Sequence, residues 1–188
     1  MFFYKREKGS LFIGSLLPMG DIDCSCGDHA AEAITVKSKM TAEIMLRAMA
    51  RHLRCPGVIR RTAGGVHVYM LKKMSLHQWA EVHRRYGGDP LYTQFTLKSR
   101  WGLWWDRVAP KAGRMVDDDP NDYYTFNPFG VKPDPEMLGL WEVNSRVREL
   151  AFTCGIEAAV DFLNSVGARE IEPGTDRRLP PPPPPRRR

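Results

Sequence analysis

The stretch that decides the fold is residues 41–86, TAEIMLRAMARHLRCPGVIRRTAGGVHVYMLKKMSLHQWAEVHRRY. Thr41 is a good N-cap for a helix that Pro56–Gly57 ends. Two strand-like runs follow, GVIRRT and VHVYMLKK, joined through Gly64–Gly65, a pair that supplies the positive φ angles of a tight hairpin. Ser75 then caps a second helix, SLHQWAEVHRRY. The stretch therefore predicts a helix, a β-hairpin and a second helix.

Alternating segments flank this stretch on both sides. Residues 33–39 (AITVKSK) and 91–101 (LYTQFTLKSRW) alternate apolar and polar side chains, as half-buried strands do. The order over residues 33–100 is then β-α-β-β-α-β, which is the ferredoxin-like arrangement with two helices on one face of an antiparallel sheet. The sequence predicts an α+β fold with a ferredoxin-like core, followed by a C-terminal helix pair and a disordered Pro/Arg tail.

The 188 residues suit one domain with extensions, and we divide them into five segments. The N-terminal strand and a cysteine-containing loop occupy residues 1–32, and the basic α+β core occupies residues 33–110. An acidic and aromatic loop follows over 111–133. Asp134 and Pro135 then begin the C-terminal helices, residues 134–168, as a capping acid and a first-turn proline. Residues 169–188 form a disordered tail whose six consecutive prolines adopt polyproline II.

The formal net charge of +6 is unevenly distributed along the chain. Residues 37–115 carry 16 basic and 4 acidic side chains, a net +12, whereas residues 116–175 carry 4 basic and 12 acidic side chains, a net −8. A concentrated positive charge indicates an anionic partner, unless the acidic part of the chain covers the basic part.

The open face of the predicted sheet is the candidate binding surface. Alternation turns Val68 and Met70 toward the helices and places Tyr69 on the opposite face. The predicted nucleic-acid-binding residues are Lys37, Arg60, Arg61, His67, Tyr69, Tyr92 and Lys98 on that face, with Arg47 and Arg51 on the first helix as a second basic stripe. Aromatic rings beside cations suit RNA or single-stranded DNA, because the rings stack on bases and the cations contact phosphates.

Two interpretations of this surface stay open. In the first, the face is open, and the protein is a non-enzymatic protein that binds nucleic acid as a subunit of a nucleoprotein particle. In the second, the N-terminal strand or the C-terminal helices cover the sheet face and its charge is balanced internally. The third predicted strand lacks the ordered glycine and aromatic residues of the RNA-recognition signature, so no family is inferred.

A rival function is that of a structural, assembly or adaptor protein that binds protein partners. The chain has an aromatic segment with Trp101, Trp104 and Trp105, and tryptophan is enriched at the residues that contribute most to protein–protein binding. The polyproline tail ends in Arg186, Arg187 and Arg188, and such a segment suits aromatic grooves. The plainer interpretation of the tryptophans is a small additional core.

The cysteines allow a zinc site to be considered. Cys24, Cys26 and His29 lie within six residues of one another, and Cys55 could complete a set of four ligands. The spacing matches no standard zinc finger, so reduced and partly buried cysteines are the preferred interpretation. Zinc is the one cofactor that the sequence suggests.

Other classes of protein are disfavoured. No nucleophile stands in a recognisable frame with a base, and no glycine loop follows a strand to hold phosphates, so we expect no enzyme. The acidic group at residues 117–119 is interpreted as a solvated loop. No run of about 18 apolar residues is present, and the N-terminus lacks the pattern of a signal peptide. The expected location is the cytoplasm or a nucleoprotein particle, without secretion or membrane insertion.

Overall fold

The computed structural model describes residues 2–15, 20–22, 44, 47–62, 65–86, 94, 104–108 and 123–173. It is a mixed α+β structure, as predicted. The strands are β1 (Phe2–Glu7), β2 (Ser10–Ser15), β3 (Gly20–Ile22), β4 (Gly57–Thr62), β5 (Gly65–Met70), β6 (Trp104–Arg107), β7 (Tyr123–Phe126) and β8 (Arg169–Glu170). The helices are α1 (described at residue 44 and over 47–53), α2 (Leu76–Tyr86), α3 (Pro135–Thr153) and α4 (Ile156–Ser165).

The helix, hairpin and helix predicted for residues 41–86 are present in the described residues, whereas the predicted cap Thr41 and the turn residue Gly64 lie outside them. Strands β4 and β5 pair antiparallel, with Thr62 opposite Gly65, so only two residues connect them. Helix α2 begins with a reciprocal cap: the Gln78 N–H donates to Ser75 Oγ at 3.2 Å, and the Ser75 N–H donates to Gln78 Oε1 at 2.9 Å. Such a capping box satisfies two backbone donors that the first helical turn leaves without partners.

The sheet built on this hairpin has the order β3-β5-β4-β7, and its described neighbours are all antiparallel. The ferredoxin-like order is not confirmed. Strand β3 pairs with β5, whereas the predicted strand at residues 33–39 lies outside the described residues. The predicted strand at 91–101 also lies outside them except for Gln94, which is helical. Beside β4 lies β7, a strand within the segment 111–133 that we expected to be a loop.

A second sheet has the order β6-β2-β1-β8. Strands β1 and β2 form a hairpin whose turn residues, Lys8 and Gly9, have φ angles of 51° and 73°. Positive φ at both positions is the geometry of a two-residue hairpin turn whose twist matches that of the strands. Strand β8 pairs parallel with β1, so the start of the segment expected to be a tail belongs to this sheet.

Helix α3 lies between the two sheets and packs on both. Asp134 caps it as predicted, because its Oδ1 accepts from the Glu136 N–H at 2.9 Å and the Met137 N–H at 3.2 Å. One stripe of α3 is buried along the whole helix: Met137, Leu140, Trp141, Asn144, Val147, Arg148 and Ala151. The N-terminal half of the stripe packs on Val58, Tyr69 and Leu71 of the first sheet, and the C-terminal half packs on Tyr4, Leu11 and Ile13 of the second.

The opposite face of the β4–β5 hairpin packs on α1 and α2. Ile59, Val68 and Met70 contact a cluster that includes Met49 and Trp79. The predicted alternation is therefore confirmed: Val68 and Met70 face these two helices, and Tyr69 faces away from them. Because α3 covers the face that Tyr69 belongs to, helices lie on both sides of the hairpin.

Helix α3 is 19 residues long, which is near the length that crosses a bilayer. It carries the charged residues Glu142, Arg146 and Glu149 within its span. Among the ranges given above, no helix is long and apolar enough to span a membrane.

The contact between α3 and the first sheet can be tested at Leu140, which is buried in it. We expect Leu140→Ala to lower the free energy of unfolding by about 2–5 kcal/mol, because a buried leucine leaves a cavity that closes only partly. Urea unfolding followed by circular dichroism measures the loss. Glu142→Ala, at an exposed position two residues away, should change it by less than about 0.5 kcal/mol. An equally small effect of Leu140→Ala would show that α3 does not cover this sheet.

Candidate nucleic-acid interface

The sheet face that was expected to be open is covered at Arg60 and Tyr69. Arg60 is 0% exposed and Tyr69 is 1% exposed, and both lie beneath α3. Arg60 Nη1 donates to Asn144 Oδ1 at 2.9 Å, and Arg60 Nη2 donates to Ser145 Oγ at 2.6 Å. The prediction that these two residues are accessible is wrong, and the alternative, in which the C-terminal helices cover the face, describes them correctly. The physical reason is that the apolar stripe of α3 is buried against this face.

Two aromatic rings, the Asn144 amide oxygen and the Ser145 hydroxyl contact the buried Arg60 guanidinium. Its Cζ lies 4.5 Å from the centre of the Trp141 ring and 5.9 Å from that of Tyr69. The two rings meet edge to face with their centres 4.9 Å apart, and the Tyr69 hydroxyl donates to Asn144 Oδ1 at 3.5 Å. Because a buried charge is costly without such partners, we assign Arg60 and Tyr69 to the core and remove them from the candidate interface.

The other predicted residues of that face are described only in part. Arg61 lies in β4 and His67 in β5, where His67 is opposite Arg60, and the structure describes their backbone alone. Lys37, Tyr92 and Lys98 lie outside the described residues.

The candidate partner-binding residues lie mostly outside the described ranges as well. Trp104 and Trp105 lie in β6, where their backbone pairs with Ser15 and Gly14 of β2. Trp101 and the tail residues Arg186, Arg187 and Arg188 are outside the described residues.

Of the four candidate zinc ligands, the structure describes Cys55. It is 3% exposed and lies in the apolar cluster between the first sheet and helices α1 and α2. Burial raises the pKa of the Cys55 thiol to about 11, although Lys72 lowers it slightly. Cys24, Cys26 and His29 lie outside the described residues. Within the described ranges, no three His, Cys, Asp or Glu side chains group as a metal site would require.

Arg47 and Arg51 of the predicted site are exposed on α1. They are spaced at i and i+4, so they share one side of the helix, and Arg54, also exposed, follows directly after the helix with a φ of 50°. None of the three forms an ion pair with a carboxylate in the described part of the chain. This stripe therefore presents its positive charge to the solvent.

Strand β7 places aromatic rings beside this arginine stripe. Tyr124 is opposite Ile59 in β4, so it belongs to the α1 side of the sheet. Arg47 Nη2 donates to the Tyr124 hydroxyl at 3.4 Å, and Arg47 Cζ lies 5.2 Å from the centre of the Phe126 ring. Tyr124 remains 37% exposed. We call Arg47, Arg51, Tyr124 and Phe126 the α1–β7 edge.

This edge was missed from the sequence, although two of its residues were recognised individually. Arg47 and Tyr124 are 77 residues apart, and β7 lies in a segment with the composition of a loop. The one local signal was the aromatic run YYTF, whose side chains alternate between two faces once it pairs with β4. Tyr123 consequently lies on the other side and packs on Trp141 with the ring centres 5.4 Å apart.

A half-open cleft of about 270 Å³ lies on the other side of α1, between α1 and α2. We call it the α1–α2 cleft. Lys72 Nζ donates to the Leu53 carbonyl oxygen at 3.0 Å, and Lys73 Nζ lies 2.8 Å from Glu136 Oε2, which raises the pKa of Lys73. The residues that line the cleft are His52, Leu53, Lys72, Lys73, Met74, Gln78, Glu81, Val82 and Arg85.

The exposed charge of these two helices and the segment between them is almost entirely positive. The exposed basic side chains are Arg47, Arg51, Arg54, Lys72, Lys73, Arg84 and Arg85. In the described part of residues 44–86, Glu81 is the only acidic side chain. Such a surface attracts polyanions over distances of about 10 Å.

The raised pKa of Cys55 predicts its reactivity. In a variant with Cys24, Cys26 and Cys154 replaced by serine, we expect the folded protein to react with iodoacetamide at pH 8 at least about tenfold more slowly than the urea-unfolded chain, because the thiolate is the nucleophile. Stability should also change with pH. The folded thiol stays protonated between its ordinary pKa of 9.0 and about 11, so the free energy of unfolding should fall as pH rises through this interval. Equal labelling rates would contradict the buried position of Cys55.

The exposed surface of the described residues combines positive charge with aromatic rings. Its principal features are an arginine stripe beside aromatic rings, formed by α1 and β7, and a basic cleft, formed by α1, α2 and the connection that precedes α2. No family model, no curated protein and no solved structure matches the chain.

Proposed function

We propose that this protein binds single-stranded nucleic acid, RNA or DNA, without catalysing a reaction on it, and that the strand lies along the α1–β7 edge. The observation that carries the proposal is the contact of the Arg47 guanidinium with the Tyr124 hydroxyl and the Phe126 ring at an exposed sheet edge. This edge replaces the covered sheet face as the proposed binding surface. Arg47 and Arg51 are the two of its residues that the sequence already predicted to bind nucleic acid.

The geometry supports binding to both parts of a nucleotide chain. Arg47 and Arg51 are one helical turn apart, about 6 Å along α1, so their guanidinium groups can contact neighbouring phosphates. The exposed Tyr124 ring offers a surface on which a base can stack, and each stacked base contributes about 1–3 kcal/mol. Arg54, in the turn directly after α1, adds a further exposed positive charge.

A single strand fits this edge better than a duplex. Stacking on Tyr124 requires a base whose face is free, and in a duplex the base faces are already stacked on one another. The positive charge alone would attract either form, because it contacts phosphates without regard to the bases. The aromatic ring is therefore the element that selects for a single strand.

A separate observation favours the second candidate function, binding to a protein partner. Phe129 is 52% exposed in a loop braced by Asn127, whose Nδ2 donates to the Val131 carbonyl at 2.9 Å and whose Oδ1 accepts from the Val131 N–H at 3.1 Å. Gly130 completes the loop with a φ of 60°. A pre-organised loop that presents an aromatic side chain loses little conformational freedom on binding.

The proposal predicts salt-dependent binding to a labelled single strand of about twelve nucleotides, measured by fluorescence anisotropy on the full chain. The double change Arg47→Gln, Arg51→Gln should reduce the slope of log K against log salt by about 1.4, which is about 0.7 for each phosphate that the variant no longer neutralises. Tyr124→Ala should weaken binding about 5- to 150-fold, the equivalent of about 1–3 kcal/mol.

Matched variants separate the edge from general charge and from folding. Arg169→Gln removes one exposed arginine from the edge strand β8 of the other sheet, and Phe129→Ala removes an exposed aromatic ring from the Asn127 loop. Both should bind the strand as the unchanged protein does. The proposal is wrong if the protein binds no strand even at low salt, or if the α1–β7 variants bind like the controls while circular dichroism shows that all are folded.

A further inference from the structure

We infer that the α1–α2 cleft binds a single nucleotide unit, with the phosphate against Lys72, Lys73 and Arg85 and the nucleoside toward the apolar lining. The inference rests on the proposed function, since it assigns a nucleotide subsite to the same basic surface. Its ligand is nevertheless one nucleotide instead of a strand, so the two proposals can fail separately.

Three separate parts of the chain build the cleft. The end of α1 contributes His52 and Leu53, and the connection from β5 to α2 contributes Lys72, Lys73 and Met74. Helix α2 contributes one side, with the lining residues Gln78, Glu81, Val82 and Arg85 spaced as neighbours on a helix surface. The volume of about 270 Å³ lies just below the usual range of about 300–1,000 Å³ for small-molecule sites. A site of this size suits one nucleotide and is too small for two.

Two of the three cations of the cleft, Lys72 and Lys73, have polar partners before a ligand arrives. Lys72 Nζ is fixed by its bond to the Leu53 carbonyl, and an ammonium group has two further N–H donors to offer. Lys73 Nζ pairs with Glu136 Oε2 at 2.8 Å, an exposed ion pair that orients the ammonium group and offsets part of its charge. Arg85 lies near the Tyr86 ring, 5.8 Å from its centre, and forms no ion pair with any described carboxylate. Pre-placed donors of this kind lower the entropy cost of binding a phosphate.

The remaining lining residues suit a nucleoside. Leu53, Met74 and Val82 are apolar, and they adjoin the apolar cluster between the sheet and helices α1 and α2. At one end, the Tyr86 hydroxyl and His52 Nδ1 are 3.0 Å apart, which fixes the imidazole ring beside the cleft. A methionine sulfur and an aromatic edge are favourable contacts for a base.

Glu81 makes the cleft selective between a nucleotide and a bare phosphate. It is the one acidic side chain of the lining, and its carboxylate can accept hydrogen bonds from ribose hydroxyls. The carboxylate repels the phosphate of either ligand, but only a nucleotide also brings ribose hydroxyls and a base that offset this repulsion. The expected order of affinity is nucleoside monophosphate first, inorganic phosphate second and nucleoside last.

The test titrates the full chain at low salt, by calorimetry, with uridine 5′-monophosphate, adenosine 5′-monophosphate, inorganic phosphate and uridine. We expect both nucleotides to bind at least about tenfold more tightly than inorganic phosphate. Arg85→Gln should weaken nucleotide binding about tenfold or more, since hydrogen bonds to charged groups are the stronger class. Arg85 is the residue to change because Lys72 and Lys73 also hold Leu53 and Glu136.

Arg84→Gln is the matched control, because Arg84 is the neighbouring exposed arginine of α2 and does not line the cleft. It should leave the affinity within about twofold, because screened surface charges contribute little. Equal losses from Arg84→Gln and Arg85→Gln would overturn the inference, since they would indicate attraction by surface charge alone. Equal affinities for nucleotides and inorganic phosphate would overturn it as well.

Strand binding separates this inference from the proposed function. Tyr124→Ala should weaken binding of the strand and leave nucleotide binding unchanged. If the protein binds the strand but no nucleotide, the inference about the cleft is wrong and the proposed function stands.

A 5′-phosphate on the strand distinguishes the source of the nucleotide. If the cleft takes the end of a strand, the phosphate should tighten binding in the unchanged protein and have no effect in Arg85→Gln. If it takes a free nucleotide, the phosphate should have no effect in either protein, while the calorimetric titration still shows the nucleotide binding that Arg85→Gln weakens.

Discussion

The packing of α3 against both sheets is the contact on which the rest of the structure depends. Each sheet has an apolar face that must be removed from water, and α3 presents a single buried stripe that runs past both. Arg148 Nη2 donates to the Arg107 carbonyl oxygen at 2.9 Å near one end of this stripe, and Asn144 accepts from Arg60 at its middle. The helix thereby joins the N-terminal hairpin to the central one.

This packing decides where the positive charge of the chain becomes available. Because α3 covers one face of the β4–β5 hairpin, Arg60 serves as a buried anchor beneath Trp141. Helices α1 and α2 cover the other face with their apolar sides, so their exposed arginines point outward, and Lys72 and Lys73 lie exposed in the connection that precedes α2. The basic surface is therefore a helical surface with a sheet edge at its side, and both proposed binding sites lie where α1 meets a neighbour: β7 on one side and α2 on the other.

Particular residues show how far sequence reasoning reaches. The caps at Ser75 and Asp134 are correctly predicted, because a cap depends on side chains within three residues of it. The facing of Val68 and Tyr69 is likewise correct, because strand alternation is local. The pairing of Tyr124 with Ile59 could not be predicted in this way. The two residues are far apart in the chain, and the residues around either one do not indicate the other.

By itself, the sequence determined the hairpin between two helices, the start of α3 and the position of the positive charge, since turns, caps and charge depend on neighbouring residues. Only the tertiary structure decided that α3 covers the second face of the β4–β5 hairpin and which arginines remain exposed. The physical reason is that an apolar stripe specifies that it must be buried, without specifying its partner. The partner depends on how α3 packs against two sheets at once, and no short stretch of the sequence specifies this packing.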